Sequence, residues 1–225
     1  MPVGIVTGLS AEARIARRAL RRDDRVGCAG ASSQRARTEA QRLIGSGAEA
    51  LLSFGVAGGL DPSLKPGTLV LAETVLAGDE TYASTADWHD AVMAEAGPLA
   101  LVSGAMVGSD MALTSAADKI ALCEESGALA VDMESHAVAA VAAERGLPFL
   151  ALRAIADPAQ RSLPRAALGA IGPDGRSRLG PVLLGLGRRP WELPALLALD
   201  RSFRAALAAL EKAAKRLERP LFGRL

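Results

Sequence analysis

The chain has 225 residues, half of them hydrophobic and 3% aromatic, with a formal net charge of +1. That size and apolar content fit one domain and exclude a disordered chain, since apolar burial can offset chain entropy. The small net charge conceals a division: residues 1–160 carry 13 basic and 20 acidic side chains (−7), residues 161–225 carry 13 and 5 (+8), so the C-terminal part is the one suited to anions. Its candidate partners are membrane headgroups, nucleic acid and the acidic body of the protein itself. No aromatic platform for stacking single-stranded nucleic acid is evident, and nucleic acid is not expected.

Taken in chain order, Met1-Pro2-Val3 lacks the basic start of a leader, and no later stretch reaches the ~20 apolar residues of a membrane span. A cytoplasmic protein is the expectation. Val3-Gly4-Ile5-Val6 reads as a short buried strand; Gly8 turns the chain, and Ser10 can cap a helix containing Glu12, Arg14, Ile15 and Leu20. Thr38 to Leu43 reads as the end of a second helix. Ala50-Leu51-Leu52-Ser53-Phe54 is an apolar strand stopped by Gly55 and Gly58-Gly59. Leu69-Val70-Leu71-Ala72 follows the turn signal Pro66-Gly67. His89 beside Trp88 is placed in a polar loop, and Leu99 to Val107 is β-prone. Ser115 to Glu125 reads as a helix with Lys119 and Glu124 on its polar side. Ala128 to Asp132 is a short strand, Ser135 to Arg145 a helix bearing His136, and Phe149 to Ile155 a buried strand ending at Asp157-Pro158. Cys28 and Cys123 have neither a CxxC partner nor a nearby His at ligand spacing, so reduced thiols are expected, with no disulfide or metal site.

After Pro164 the chain changes character. Ala170 to Pro194 is rich in Gly, Pro, Leu and Arg, with a turn at Pro173-Asp174-Gly175 and apolar runs at Val182-Leu183-Leu184 and Leu196-Leu197. A last helix is predicted from Asp200 to Glu218, with Phe203, Leu207, Leu210, Ala214 and Leu217 as its apolar stripe.

Strands that are apolar throughout and alternate with helices imply a single-domain three-layer α/β/α fold around a central mixed, largely parallel sheet. Residues 1–164 form its core, and 165–225 a helical extension completing the same domain. Ligands of such sheets bind beyond the carboxyl ends of the strands. Glu12, Gly55 to Gly59, Asp132 to Glu134 and Asp157 all follow strands directly. Singly, each has a plain reading: Glu12 as a first-turn glutamate favoured by the helix dipole, Glu134 likewise near a helix start, Asp157 as a turn residue before proline. Gly55 to Gly59 is neither GxGxxG nor followed by Lys-Ser/Thr, which argues against a dinucleotide site or a P-loop.

Jointly the segments say more. Phe54-Gly55-Val56-Ala57-Gly58-Gly59-Leu60 with Leu64-Lys65-Pro66-Gly67, Ala130-Val131-Asp132-Met133-Glu134-Ser135, and Arg153-Ala154-Ile155-Ala156-Asp157 resemble, in order and spacing, the motifs of the methylthioadenosine/adenosylhomocysteine nucleosidases of the nucleoside phosphorylase/nucleosidase superfamily. With Gly4-Ile5-Val6 and Glu12, the resemblance covers roughly residues 1–164. It implies cleavage of the bond between a purine and a ribose. A purine leaves readily only when protonated at N7, which needs a carboxylic acid held protonated near neutral pH. The cationic sugar that develops is favoured by a nearby anion. The resemblance makes Asp157 the acid at the base, Glu12 the group that orients and deprotonates water, and Glu134 the grip on the ribose hydroxyls. It sets Met133 under the sugar, Asp132 and Leu113 near the base, and Gly8, Val56, Ala57 and Gly58 against the substrate. It implies no cofactor and a homodimer.

Where the phosphorylases of the superfamily carry phosphate-binding arginines, this chain has Glu12 and Ser53, and Val56 replaces a hydroxyl residue. That favours water over phosphate as the nucleophile, with phosphate as co-substrate the alternative, Arg14 or Arg35 then contributing. Ala112 stands in place of a base-stacking Phe, and Ala156 in place of Ser. Leu163-Pro164, Pro173-Asp174-Gly175 and Arg189 to Leu197 resemble the C-terminal extension of hopanoid-associated phosphorylase-like proteins. That resemblance implies an adenosine-type, lipid-linked substrate, adenosylhopane, met by peripheral contact with the inner membrane face. Two alternatives stand beside it: a methylthioadenosine/adenosylhomocysteine nucleosidase, and a non-catalytic lipid-binding or scaffold protein.

Overall fold

The computed structural model of the protein describes residues 2–20, 25–167, 170–172, 174–176 and 178–222. Val3–Thr7 (β1) leads into Ser10–Leu20 (α1), followed by Val26–Cys28 (β2), Ser33–Gly45 (α2), Ala50–Gly59 (β3), Leu69–Ala77 (β4) and Glu80–Ala83 (β5). Ala86–Glu95 (α3), Leu101–Gly108 (β6), Ala116–Ser126 (α4), Ala130–Asp132 (β7), Ser135–Arg145 (α5) and Phe149–Asp157 (β8) come next. Short 3-10 turns at Arg165–Ala167 and Pro190–Glu192 flank Leu179–Arg188 (α6), and Leu193–Arg216 (α7) and Glu218–Phe222 (α8) complete the order.

One mixed sheet runs through the domain, with helices around it, as the alternation of apolar strands and helices predicts. β1 pairs in parallel with β2 and β3, β3 with β8, β4 with β6, and β6 with β7. The antiparallel pairs are β3 with β7, β4 with β5, and β4 with β8. The pairings β3–β8–β4–β6–β7–β3 therefore close into a circuit. The closing contact is made by Gly58 and Gly59 opposite Val131 and Ala130, just past a register shift between Ala57 and Gly58. A Cβ on Gly59 would lie 3.2 Å from the Ile155 side chain, so glycine lets β3 bend against both neighbours at once.

Alternate residues of the central strands feed two cores, following the two-residue period of a strand. Ile5, Leu52, Phe54, Leu71 and Leu152 face α1, α7 and α8, whereas Val6, Leu51, Val70, Ala151 and Ile155 face α2 and α5. In the C-terminal stripe Leu210, Ala214 and Leu217 are fully buried, while Phe203 and Leu207 pack at the margin of the first core.

Several expectations are corrected. Trp88 and His89 lie in helix α3, not in a polar loop. Trp88 is fully buried and donates from Nε1 to the Pro220 carbonyl at 2.6 Å, tying α3 to α8. Ser10 does not cap α1; its hydroxyl donates to the Gly175 carbonyl at 3.2 Å. The last long helix begins at Leu193 rather than Asp200, because Pro194 is tolerated in a first turn. Lys119 is buried rather than on the polar side of α4. Of the turn read at Pro173-Asp174-Gly175, Pro173 lies outside the described residues; Gly175 has φ +70° and donates to the Gly172 carbonyl at 2.9 Å.

Replacing Trp88 with Ala removes both the buried indole and the tie to α8. Urea unfolding followed by circular dichroism is expected to show a loss of about 3–5 kcal/mol.

Candidate active site

Three residues that the sequence presents separately form one unit. Glu12, in the first turn of α1, is buried. Its Oε2 accepts from the N–H groups of Gly8 and Leu9 at 2.9 and 2.8 Å, and its Oε1 from the Val56 N–H at 2.8 Å. The glutamate thus pins the turn after β1 to the glycine loop of β3. Burial pushes its carboxyl up, against the pull of Arg153 and the three N–H donors.

Arg153 is the hub. It stands in the middle of β8 with no exposed surface. Its Nε pairs with Asp132, its Nη2 lies 3.4 Å from Glu134 Oε2, and the same Nη2 donates to Ser53 Oγ at 2.6 Å and Ser135 Oγ at 3.2 Å. Nη1 is buried without a hydrogen-bond partner among the described residues. A Cβ on Gly55 would collide with Nη1 and lie 2.7 Å from Glu12 Oε2, so glycine is required where β3 passes between them. Three carboxylates (Glu12, Asp132 and Glu134) act on this one guanidinium. Burial and its like-charged neighbours push Glu134 up to about 8, although Arg153 opposes them. Glu134 therefore holds its proton at neutral pH.

Asp132 turns its side chain inward. Besides Arg153 it accepts from Ser135 N–H at 3.0 Å and from the Ser135 hydroxyl, fixing the start of α5. Glu134 packs against Gly8, where a Cβ would sit 2.6 Å from Oε1. Ala57 is buried. Leu113 is half-buried against Leu60 and Val131, and Met133 is half-buried in the turn that joins β7 to α5.

Asp157 stands apart at the end of β8, in register with Gly58. Its Oδ2 accepts from the ammonium of Lys119 on α4. Burial pushes the carboxyl up, and Lys119 and Arg161 act against that. It forms part of the wall of a cavity of about 230 Å³, with Arg161, Leu163, Ala195, Leu199 and Ser202 among the other lining residues. The N-terminal half of α7 thus faces Asp157.

Sequence reasoning missed Lys119 and the hub role of Arg153. A signal for Arg153 exists: an arginine inside the apolar run Phe149 to Ile155 must be paired if buried. Lys119 gives none, since a lysine within the helix Ser115 to Glu125 reads as a solvated side chain. The arginines offered for phosphate lie elsewhere: Arg14 is exposed, and Arg35 donates to the carbonyls of Ala29 and Gly30 at 2.5 and 2.6 Å.

Residues 25–183 match the model of the Phosphorylase superfamily, and the chain belongs to that superfamily. A search of curated protein sequences found no significant match. Among solved structures the chain is similar to native futalosine hydrolase of Helicobacter pylori strain 26695, with a TM-score of 0.72 at 18% identity, covering 96% of each chain. It is similar to a putative 5′-methylthioadenosine/S-adenosylhomocysteine nucleosidase from Francisella philomiragia, with a TM-score of 0.71 at 19% identity and 97% of each chain. The Neisseria meningitidis 5′-methylthioadenosine/S-adenosylhomocysteine nucleosidase in complex with methylthio-immucillin-A gives a TM-score of 0.71 at 17% identity, covering 96% of this chain and 98% of that one. At these identities the likeness is one of fold.

The Arg153 cluster makes stability depend on pH. A carboxyl whose pKa is raised by folding stabilises the protein below its unfolded value, near 4.5 for Glu134, and that contribution is lost as pH rises toward about 8. Urea midpoints are expected to fall between pH 5 and pH 8, and Glu134→Gln to flatten the slope. An unchanged slope in Glu134→Gln removes that carboxyl as its source.

Proposed function

We propose that the protein releases adenine from a 5′-substituted adenosine by hydrolysing the N-glycosidic bond. One observation carries the reading: the end of β3 links two carboxyl groups. Val56 holds Glu12, and Gly58 is in register with Asp157. The two strand positions are separated by one residue, which sets a group suited to the sugar side and a group suited to the base along one strand end. Asp157 donates a proton to N7, so the purine departs neutral. Carboxyl oxygens gathered around Arg153 face the developing cationic sugar, with Glu134 on its hydroxyls and Glu12 orienting the attacking water.

Water is preferred to phosphate because Ser53, where the phosphorylases place an arginine, instead supports Arg153, and Arg35 is engaged with backbone carbonyls. Adenosylhopane is the favoured substrate. The C-terminal extension, whose resemblance suggests it, supplies the α7 residues that face Asp157 across the cavity. The names borne by the similar solved structures favour methylthioadenosine or adenosylhomocysteine as the second reading.

The test is to incubate the full chain with adenosylhopane and with methylthioadenosine, with and without phosphate, and to measure adenine and the sugar product. Adenine release without phosphate is expected. Asp157→Asn and Glu12→Gln are expected to fold and to lose at least ~10²–10⁴-fold in rate. A requirement for phosphate in a still-active Glu12→Gln overturns the hydrolytic reading.

A lipid-linked substrate has to be met at a bilayer. Leu183, Leu184 and Trp191 are exposed at 65%, 61% and 72%, close in sequence to Arg188 and Arg189. Basic residues at an anionic surface contribute about 1 kcal/mol each, and an apolar face adds burial in the headgroup region. The protein is expected to sediment with anionic vesicles at low salt and to be released by high salt. Changing Arg188, Arg189 and Trp191 to Ser is expected to abolish sedimentation; equal binding by both proteins removes the membrane role.

A further inference from the structure

The mechanism outlined above makes no use of Lys119, although its side chain is fully buried. Its ammonium meets three acceptors: Asp157 Oδ2, the Arg161 carbonyl at 2.9 Å and the Pro158 carbonyl at 3.4 Å. An ammonium has three donors and no acceptor, so this cage satisfies the charged form and no other. The two carbonyls belong to the segment that leaves β8 and lines the cavity beside Asp157. One side chain from α4 therefore holds both the carboxyl and the chain that follows it.

Resting on the cleavage reading above, we propose that Lys119 is a positioning residue for the proton donor. It fixes Oδ2 of Asp157, leaves Oδ1 for the purine, and pairs with the negative charge left when the proton departs. In the step itself the Asp157 O–H bond breaks and the N7–H bond of the purine forms. The glycosidic electron pair goes to the base, and Lys119 keeps all three of its protons. Among the described residues, the charged groups acting on Asp157 are Lys119 from α4 and Arg161 from the following loop; the strand on its other side presents Gly58, and α7 presents Ala195, Ala198 and Ser202 across the cavity. Both charges favour the ionised carboxyl and burial opposes it. With the ammonium removed, Asp157 keeps its proton to higher pH and gives it up less readily.

The experiment compares the full chain with Lys119→Gln, which keeps N–H donors without charge, and Lys119→Met, which removes both. It measures kcat and KM for methylthioadenosine across pH, and the titration of the Asp157 carboxyl by ¹³C NMR, with Asp157→Asn to assign the resonance. In both variants the Asp157 titration and the basic limb of the rate profile are expected to move up by about one pH unit or more. The same variants should lose about tenfold or more in kcat, with KM changed by less than about threefold. If Lys119→Met does not fold, Lys119→Gln decides alone. Loss of activity with an unmoved limb and an unmoved titration marks a merely structural lysine and overturns the proposal, as does wild-type behaviour in a folded variant. If the wild-type chain releases no adenine but its Asp157 titration still shifts in the variants, the ion-pair role stands and the cleavage reading falls.

Discussion

A guanidinium with no access to water has to be paired, and its pairing organises this molecule. Arg153 sits mid-strand in β8 and draws Asp132, Glu134, Ser135 and Ser53 around it, with Glu12 in its field. These groups come from β1–α1, β3 and β7–α5, so one side chain fixes the relative placement of elements more than a hundred residues apart in sequence. A buried ion cluster of this kind is poor evidence for stability, since desolvation can exceed the Coulomb gain, and breaking it leaves uncompensated charge. Its value lies in holding Glu12 and Glu134 away from solvent, where burial raises their proton affinity above that of solvated carboxylates.

The sheet makes that concentration geometrically possible. Closing β3 onto β7 at Gly58 and Gly59 brings the carboxyl end of β8 beside the same loop that Glu12 grips. The glycines matter through absence of side chains at close approaches: Gly55 lets β3 pass between Arg153 and Glu12, and Gly8 leaves space for Glu134. The resulting arrangement has two poles. One gathers three carboxyl groups around a single guanidinium, and the other is a carboxyl backed by an ammonium. That asymmetry suits a reaction in which a sugar becomes positive while a base accepts a proton.

The strands, most helices and the three motifs were readable because each depends on local signals: apolar runs of strand length, glycine stops, and carboxylates directly after strands. Helical periodicity puts Lys119 on the wrong face because it assigns faces without knowing that a partner carboxyl waits on one of them. Trp88 departs from its expected loop for a related reason. Its surroundings, Thr85-Ala86-Asp87 and His89-Asp90, are polar, and the reason for burying it lies in Pro220, far along the chain. The individual contacts of Glu12 were hidden too, because they are made by backbone N–H groups, which no sequence pattern marks. Beyond residue 164 the pattern gave composition rather than geometry, and the N-terminal end of α7 emerged only from packing.

Helix α7 is divided along its length. Its second half supplies Ala206, Leu210, Ala213 and Ala214 to the core, all buried, while its first half presents Ala195, Ala198 and Leu199 to the cavity beside Asp157. The two halves of one helix thus answer to different neighbours, the core for one and the cavity for the other. The polar partners of Arg153 are Asp132, Glu134, Ser53 and Ser135, none of them on this helix. A change of bulk at Ala195, Ala198 or Leu199 therefore reshapes the wall beside Asp157 and removes no partner of Arg153.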